Sequence, residues 1–178
     1  DDFTFVGFDF LHWRNRKKDN KPYFLVNPSE KSLKDFKKKI KDKTRKTLTL
    51  KKEEWIKRVN EIIIGKVNYY KIVQKAIELN KQAGQESHCF IKGCIQELHK
   101  LDAYIRQRLR MCMIHKHPSI RGAYGKTWKW NIEFFCTTGL IPAAWHYYKE
   151  MYPGYTIETY VDIQTKSNKK RKQRKIER

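Results

Sequence analysis

The chain has 178 residues, with 40 Lys and Arg against 19 Asp and Glu, a net charge of +21, and 13% aromatic residues within a 39% hydrophobic total. So much apolar surface excludes a simple disordered polycation, and a length of this order suits one domain with appendages, not two large ones. No apolar run approaches the roughly twenty residues of a membrane span, and Asp1-Asp2-Phe3 is not the basic start of a signal peptide, so we expect a soluble, cytoplasmic protein without a membrane partner. The positive field then sits on a folded surface, where releasing counterions from phosphates makes nucleic acid the first partner to consider. Cys89, Cys94, Cys112 and Cys136 include no Cys-x-x-Cys pair, so free thiols are expected in place of a disulfide framework. Cys112, His115, His117 and Cys136 lack the spacing of a zinc knuckle.

Residues 3 to 13 are dense in aromatics and partly alternate, which predicts a strand. Tyr23-Phe24-Leu25-Val26 restores strand character after a charged loop at 14 to 22, giving an antiparallel hairpin that must pack on helices or on a further sheet. After Asn27-Pro28, Ser32 and Asp35 resemble a capping box opening a helix over 33–46, with Leu33, Phe36 and Ile40 as its apolar stripe. Lys34, Lys38, Lys41 and Arg45 recur every three or four residues on a different side, a basic stripe spread over about 16 Å. With no acids interleaved on it, the stripe reads as a phosphate-contacting face.

A second helix begins near Thr49 and carries Trp55, Ile56, Val59, Ile62, Ile63, Val67 and Tyr70 on a broad apolar face. Gly65 inside it costs about 1 kcal/mol relative to Ala, which predicts close approach or a local break. Residues 80–88 read as a polar connection, with Ser87 as a cap for a third helix over 88–115. There Ile91, Cys94, Leu98, Leu101, Ile105, Leu109 and Cys112 line one side, and Arg106 and Arg110 project together from its flank, with Asp102 placed to pair with Arg106. Pro118 ends it. A helical stretch around 130–137, a helix from Pro142 to about Met151, a short strand over 155–163 and a disordered basic tail from Lys166 complete the chain. The fold class is mainly α: a three-helix bundle with an N-terminal β-hairpin and a smaller helical C-terminal extension.

Catalytic constellations are missing. There is no phosphate-cradling glycine loop, no His-Glu-x-x-His and no nucleophile motif, and Asp1-Asp2 at a terminus is a poor two-metal ligand pair. Tyr69, Tyr70, Trp128 and Trp130 are candidates for base stacking.

Several motifs nonetheless occur in a telling order. Phe5-Val6-Gly7-Phe8 resembles the Phe-Leu-Gly-Phe segment that closes the palm of reverse transcriptases encoded by bacterial group II introns, followed by the expected hairpin and Asn27-Pro28-Ser29. Ser32 to Arg45 is similar to their first thumb helix. Asn60-Glu-Ile-Ile-Ile-Gly65-Lys-Val-Asn68-Tyr69-Tyr70 resembles their Asn-x-x-x-x-Gly-Trp-x-Asn-Tyr-Tyr motif, with Lys66-Val67 departing from the usual Gly-Trp. Leu101-Asp102-Ala-Tyr-Ile105-Arg106-Gln-Arg108-Leu109-Arg110 resembles their Leu-Asp-x-x-Ile-Arg-x-Arg-Leu-Arg.

The resemblance spans residues 3 to 115 and implies a thumb, or maturase-specific domain, over 29–117. Before it would lie a palm-end hairpin over 1–28 whose Phe5, Val6, Gly7 and Phe8 form a primer grip. An extension over 118–165 and a tail over 166–178 would follow. It further implies binding of intron RNA and of RNA/DNA template-primer duplex through Lys34, Lys38, Lys41, Arg45, Asn68, Tyr69, Arg106 and Arg110, beside the fingers and palm of the same polypeptide. The catalytic Tyr-x-Asp-Asp segment would precede these residues, so no cofactor is expected here, and Mg2+ belongs to the parent RNA-directed DNA polymerase. The alternative is a free-standing RNA-binding protein with the same architecture.

Overall fold

The computed structural model describes residues 2–15, 22–45, 49–84, 89–90, 92–120 and 129–176. Strands β1 (Phe3–Phe5), β2 (Phe8–Asn15) and β3 (Pro22–Pro28) form an antiparallel meander, and β4 (Cys89–Phe90) adds to β3 in parallel, giving the order β1-β2-β3-β4. The strand expected over 3–13 is therefore broken. Phe5 and Phe8 pair directly, leaving Val6 and Gly7 as a two-residue hairpin turn with φ of 45° and 76°. Positive φ at both central residues is what a type I′ turn requires.

Helix α1 (Glu30–Lys43) starts three residues earlier than the capping box suggested. Its cap is Ser29, whose side chain accepts a hydrogen bond from the Ser32 amide. Ser32 is instead buried against Tyr70, the two hydroxyls 3.1 Å apart. Helix α2 (Lys52–Gln82) runs unbroken through Gly65, and α3 (Lys92–Lys116) begins after the short β4, where a helical start had been expected. The proposed Ser87 cap lies outside the described residues. Phe36 and Ile40 of α1 meet Trp55, Val59, Ile63, Val67 and Tyr70 of α2 and Leu98, Leu101, Ile105 and Leu109 of α3 in one core. Burying each of these large side chains contributes roughly 1.5–3 kcal/mol. Phe8 and Val26 seal the sheet onto this core.

The C-terminal segment joins the same core through α4 (Ile132–Thr137), α5 (Ala143–Tyr148) and α6 (Ile157–Ile176). Asp102 is one of the side chains that fasten it. Asp102, buried in α3, accepts the amides of Ala143 and Ala144 at 2.6 and 3.1 Å and the Tyr160 hydroxyl at 2.8 Å. The residue capping α5 is Pro142, which has no side-chain acceptor, so α3 supplies the cap. Burial pushes the Asp102 carboxyl above its usual range, against the pull of the Arg106 charge and these three donors. Asp102 was expected to serve a local pair with Arg106. Its oxygens go to the docking of α5 and α6.

The strand predicted over 155–163 and the disordered tail predicted from Lys166 are both corrected: α6 is one helix through both. The alternation of Tyr155, Ile157 and Val161 misled because Tyr160, the residue that is fully buried, packs at helical spacing on α3. Overall the architecture is mainly α-helical with an N-terminal sheet. Among the described residues no helix is long and apolar enough to cross a membrane.

Candidate nucleic-acid interface

The turn at Val6-Gly7 is held in place by α1 and α2. The Ser29 amide donates to the Gly7 carbonyl at 2.8 Å, and the Tyr69 hydroxyl donates to the Val6 carbonyl. Phe8 stacks on Tyr69 with ring centroids 5.4 Å apart. A Cβ on Gly7 would sit 3.6 Å from the Ser32 hydroxyl at φ +76°, so glycine is needed for backbone conformation. Val6 takes a φ that β-branched residues rarely adopt, and backbone strain of this kind concentrates at functional sites. The turn presents apolar side chains outward: Phe5 is 64% and Val6 59% exposed.

Beside the turn runs the outer face of α2. Gly65, Tyr69, Ile72, Ala76, Leu79 and Ala83 recur at alternating spacings of four and three, which places them along one line on the helix opposite the core residues. Ile72 and Leu79 are 55% and 63% exposed, and a Cβ on Gly65 would meet nothing within 4 Å. Gly65 thus does not break the helix, and among the described residues it admits no neighbour. Lys66 flanks this line, its ammonium 5.3 Å from the Tyr69 ring centre. Burial lowers its pKa, and Lys39 of α1 adds to the effect while Asp35 opposes it.

Lys34, Lys38 and Lys41 all lie exposed on α1, on the side away from Phe36 and Ile40. The stripe does carry acids at its ends. Lys34 pairs with Glu30 at 2.9 Å, and Arg45, which follows the end of α1, pairs with Asp42 at 3.1 Å. Lys39 and Lys66 join the α1 and α2 faces, and sequence reasoning passed over both. The missing signal was the packing of α1 on α2.

The remaining candidates stand elsewhere. Arg110 donates to the Trp130 carbonyl at 2.8 Å and lies 5.9 Å from the Phe135 ring centre, and burial lowers its pKa to about 10, with Arg106 adding to the effect. Arg106 neighbours Asp102 and Tyr160, so both arginines belong to the side of α3 that receives the C-terminal segment. Arg108 faces α1 and clamps its end, donating to the Thr44 carbonyl at 2.8 Å and to the Thr44 hydroxyl at 3.1 Å. Tyr70 and Trp130 are buried and present no face to a base, while Trp128 lies outside the described residues.

Asn68 is engaged by α5, its Oδ1 lying 2.9 Å from Nε2 of His146. Burial pushes His146 down to about 4, helped by Lys71 and Lys149 and opposed by Glu150. A histidine with a depressed folded pKa favours the fold above its ordinary value of 6.5 and loses that contribution as pH falls toward 4. The chain should therefore lose about 2–3 kcal/mol of stability at most through this group between neutral pH and the folded pKa. Urea unfolding of wild type and His146→Gln at both pH values checks this: the variant should show the shallower dependence, and parallel curves would exclude His146 as the source.

Residues 33–83 match the family model described as group II intron, maturase-specific domain. The matched stretch takes in α1 from Leu33 and all of α2, the two helices that build the face just described. Comparison with curated proteins gives no match. The match and the helical fold support a maturase-related domain in this part of the chain and, in general terms, an RNA-binding module.

Proposed function

We propose that the chain is the duplex-binding thumb, or maturase, module of a group II intron-type RNA-directed DNA polymerase, holding template-primer duplex and intron RNA. One observation carries this reading most strongly: Gly65. A glycine inside a helix is less stable than alanine there by roughly 0.5–1 kcal/mol, and neither backbone conformation nor packing asks for it at this position. Its use is then to let something outside the fold come close. A-form duplexes offer a wide, shallow minor groove that proteins read by shape. The small and apolar line from Gly65 through Ile72 and Ala76 to Leu79 fits against such a surface, with Lys66 and Lys39 at its margin.

In this arrangement Lys34, Lys38 and Lys41 contact phosphates without reading sequence. Phe5, Val6 and Gly7 meet the end of the duplex as a primer-grip turn, and Tyr69 keeps that turn in position. Asn68, bound to His146, supports the helix face from the side. The fingers and palm of the same polypeptide would supply the chemistry. Among the described residues no three His, Cys, Asp or Glu gather as metal ligands; the magnesium implied for a polymerase would be held by the palm of the same polypeptide.

Replacing Lys34, Lys38 and Lys41 together by Gln should weaken binding to an RNA/DNA hybrid by about tenfold or more and make its salt dependence shallower by up to about three counterions. Fluorescence anisotropy across a salt series measures both. A wild-type chain with no salt-sensitive affinity for structured RNA or hybrid duplex would overturn the proposal.

A further inference from the structure

Helix α6 carries two chemistries along its length. Its first turns are anchored: Tyr160 is fully buried, stacks on His99 with centroids 6.3 Å apart and donates to Asp102, while Gln164 reaches His99 at 3.5 Å. From Lys166 to Ile176 the sequence reads Lys-Ser-Asn-Lys-Lys-Arg-Lys-Gln-Arg-Lys-Ile, with seven Lys or Arg and no acid in eleven residues. The helix continues through this stretch. Cations do suit the C-terminal end of the helix dipole. No apolar stripe accompanies them, so this half has no face with which to enter a core or a membrane interface. It is built to meet a dense line of negative charge.

Its position separates it from the face already described. Tyr160 meets Asp102 and Gln164 meets His99, so α6 runs antiparallel to α3 and passes the start of α3 at about residue 171. Helix α1 meets α3 through Tyr104, Arg108 and Cys112, whose side chains bond to carbonyl groups of Lys37 and Thr44. At 100° per residue, the contacts to α1 and those to α6 lie about 150° apart around α3. Helices α1 and α6 therefore meet α3 on different sides.

We propose that residues 166–176 form a second phosphate-binding site, which takes a separate segment of duplex RNA, so that the protein joins two RNA helices. The proposal rests on the nucleic-acid reading of the α1 and α2 face and adds a second, independent footprint to it.

The test uses the full chain and short RNA duplexes in excess, half carrying a donor dye and half an acceptor. Wild type should bind two duplexes per chain by sedimentation and bring the dyes into energy transfer. A variant with Lys166, Lys169, Lys170, Arg171, Lys172, Arg174 and Lys175 changed to Gln, a residue that keeps helix propensity, should bind one duplex and lose the transfer. Lys34/Lys38/Lys41→Gln should keep the duplex held by the arm while weakening the other. A wild-type stoichiometry of one, or a seven-Gln variant that still joins two duplexes, would overturn the second site and leave the first intact. A wild type that binds no duplex would remove both.

Discussion

Asp102→Ala should cost about 3–5 kcal/mol of unfolding free energy. The carboxylate serves three buried donors at once, the amides of Ala143 and Ala144 and the Tyr160 hydroxyl, and these come from two different elements. Alanine leaves all three without a partner, and each orphaned buried donor costs about 1–3 kcal/mol. Tyr160→Phe removes one donor and leaves the carboxylate its two amides, so its cost should stay near 1–2 kcal/mol. Asp102→Asn keeps one acceptor oxygen and should fall between the two. Equilibrium urea unfolding of the three variants gives the order directly. Should Asp102→Ala unfold within about 1 kcal/mol of wild type, the C-terminal segment is held by its apolar contacts and not by this carboxylate.

Gly65 separates stability from binding in opposite directions. Since a Cβ there meets open space and the helix continues on both sides, Gly65→Ala should raise stability by about 0.5–1 kcal/mol. Gly65→Leu should be at least as well folded, because leucine is a good helix former and nothing in the fold obstructs it. Its side chain, however, stands where the duplex has to come close, and the affinity for RNA/DNA hybrid should fall on the order of a hundredfold, close to 3 kcal/mol. Thermal melts and anisotropy titrations on the same preparations measure the two effects. A Gly65→Leu chain that binds duplex as wild type does would move the interface off the outer face of α2. Lys66→Ala is a useful companion, because it removes a charge from the margin of that face without adding bulk.

Much of the framework was legible in the sequence because its signals are local. The apolar periods of α1, α2 and α3, the alternation of the strands and the motif order from Phe5 to Arg110 are carried by neighbouring residues. The core stripe that begins with Trp55, Ile56 and Val59 is buried as expected. The basic stripe at Lys34, Lys38 and Lys41 was legible for the same reason: a helix places residues three and four apart on one side whatever surrounds it. Where reading failed, the deciding contact came from far along the chain. Ser29 displaced Ser32 as the cap because Ser32 is occupied by Tyr70, 38 residues away. Arg110 looked like a free surface charge until Trp130 and Phe135 closed over it.

By itself the sequence determined that the chain folds around a helical core, that its surplus charge is gathered on particular segments, and that residues 33–83 carry a maturase-specific pattern. Those properties follow from composition and from periods of two and about 3.6 residues, which need no partner to be expressed. Only the tertiary structure decided that Asp102 binds α5 and α6, and that Val6-Gly7 is a turn pinned by Tyr69. It also decided that Gly65 faces open space, and that the two basic helices meet α3 on different sides. Each of these depends on which groups meet across tens of residues. A buried donor or carboxylate takes whatever partner the packed core brings to it, and that choice is made by the fold as a whole.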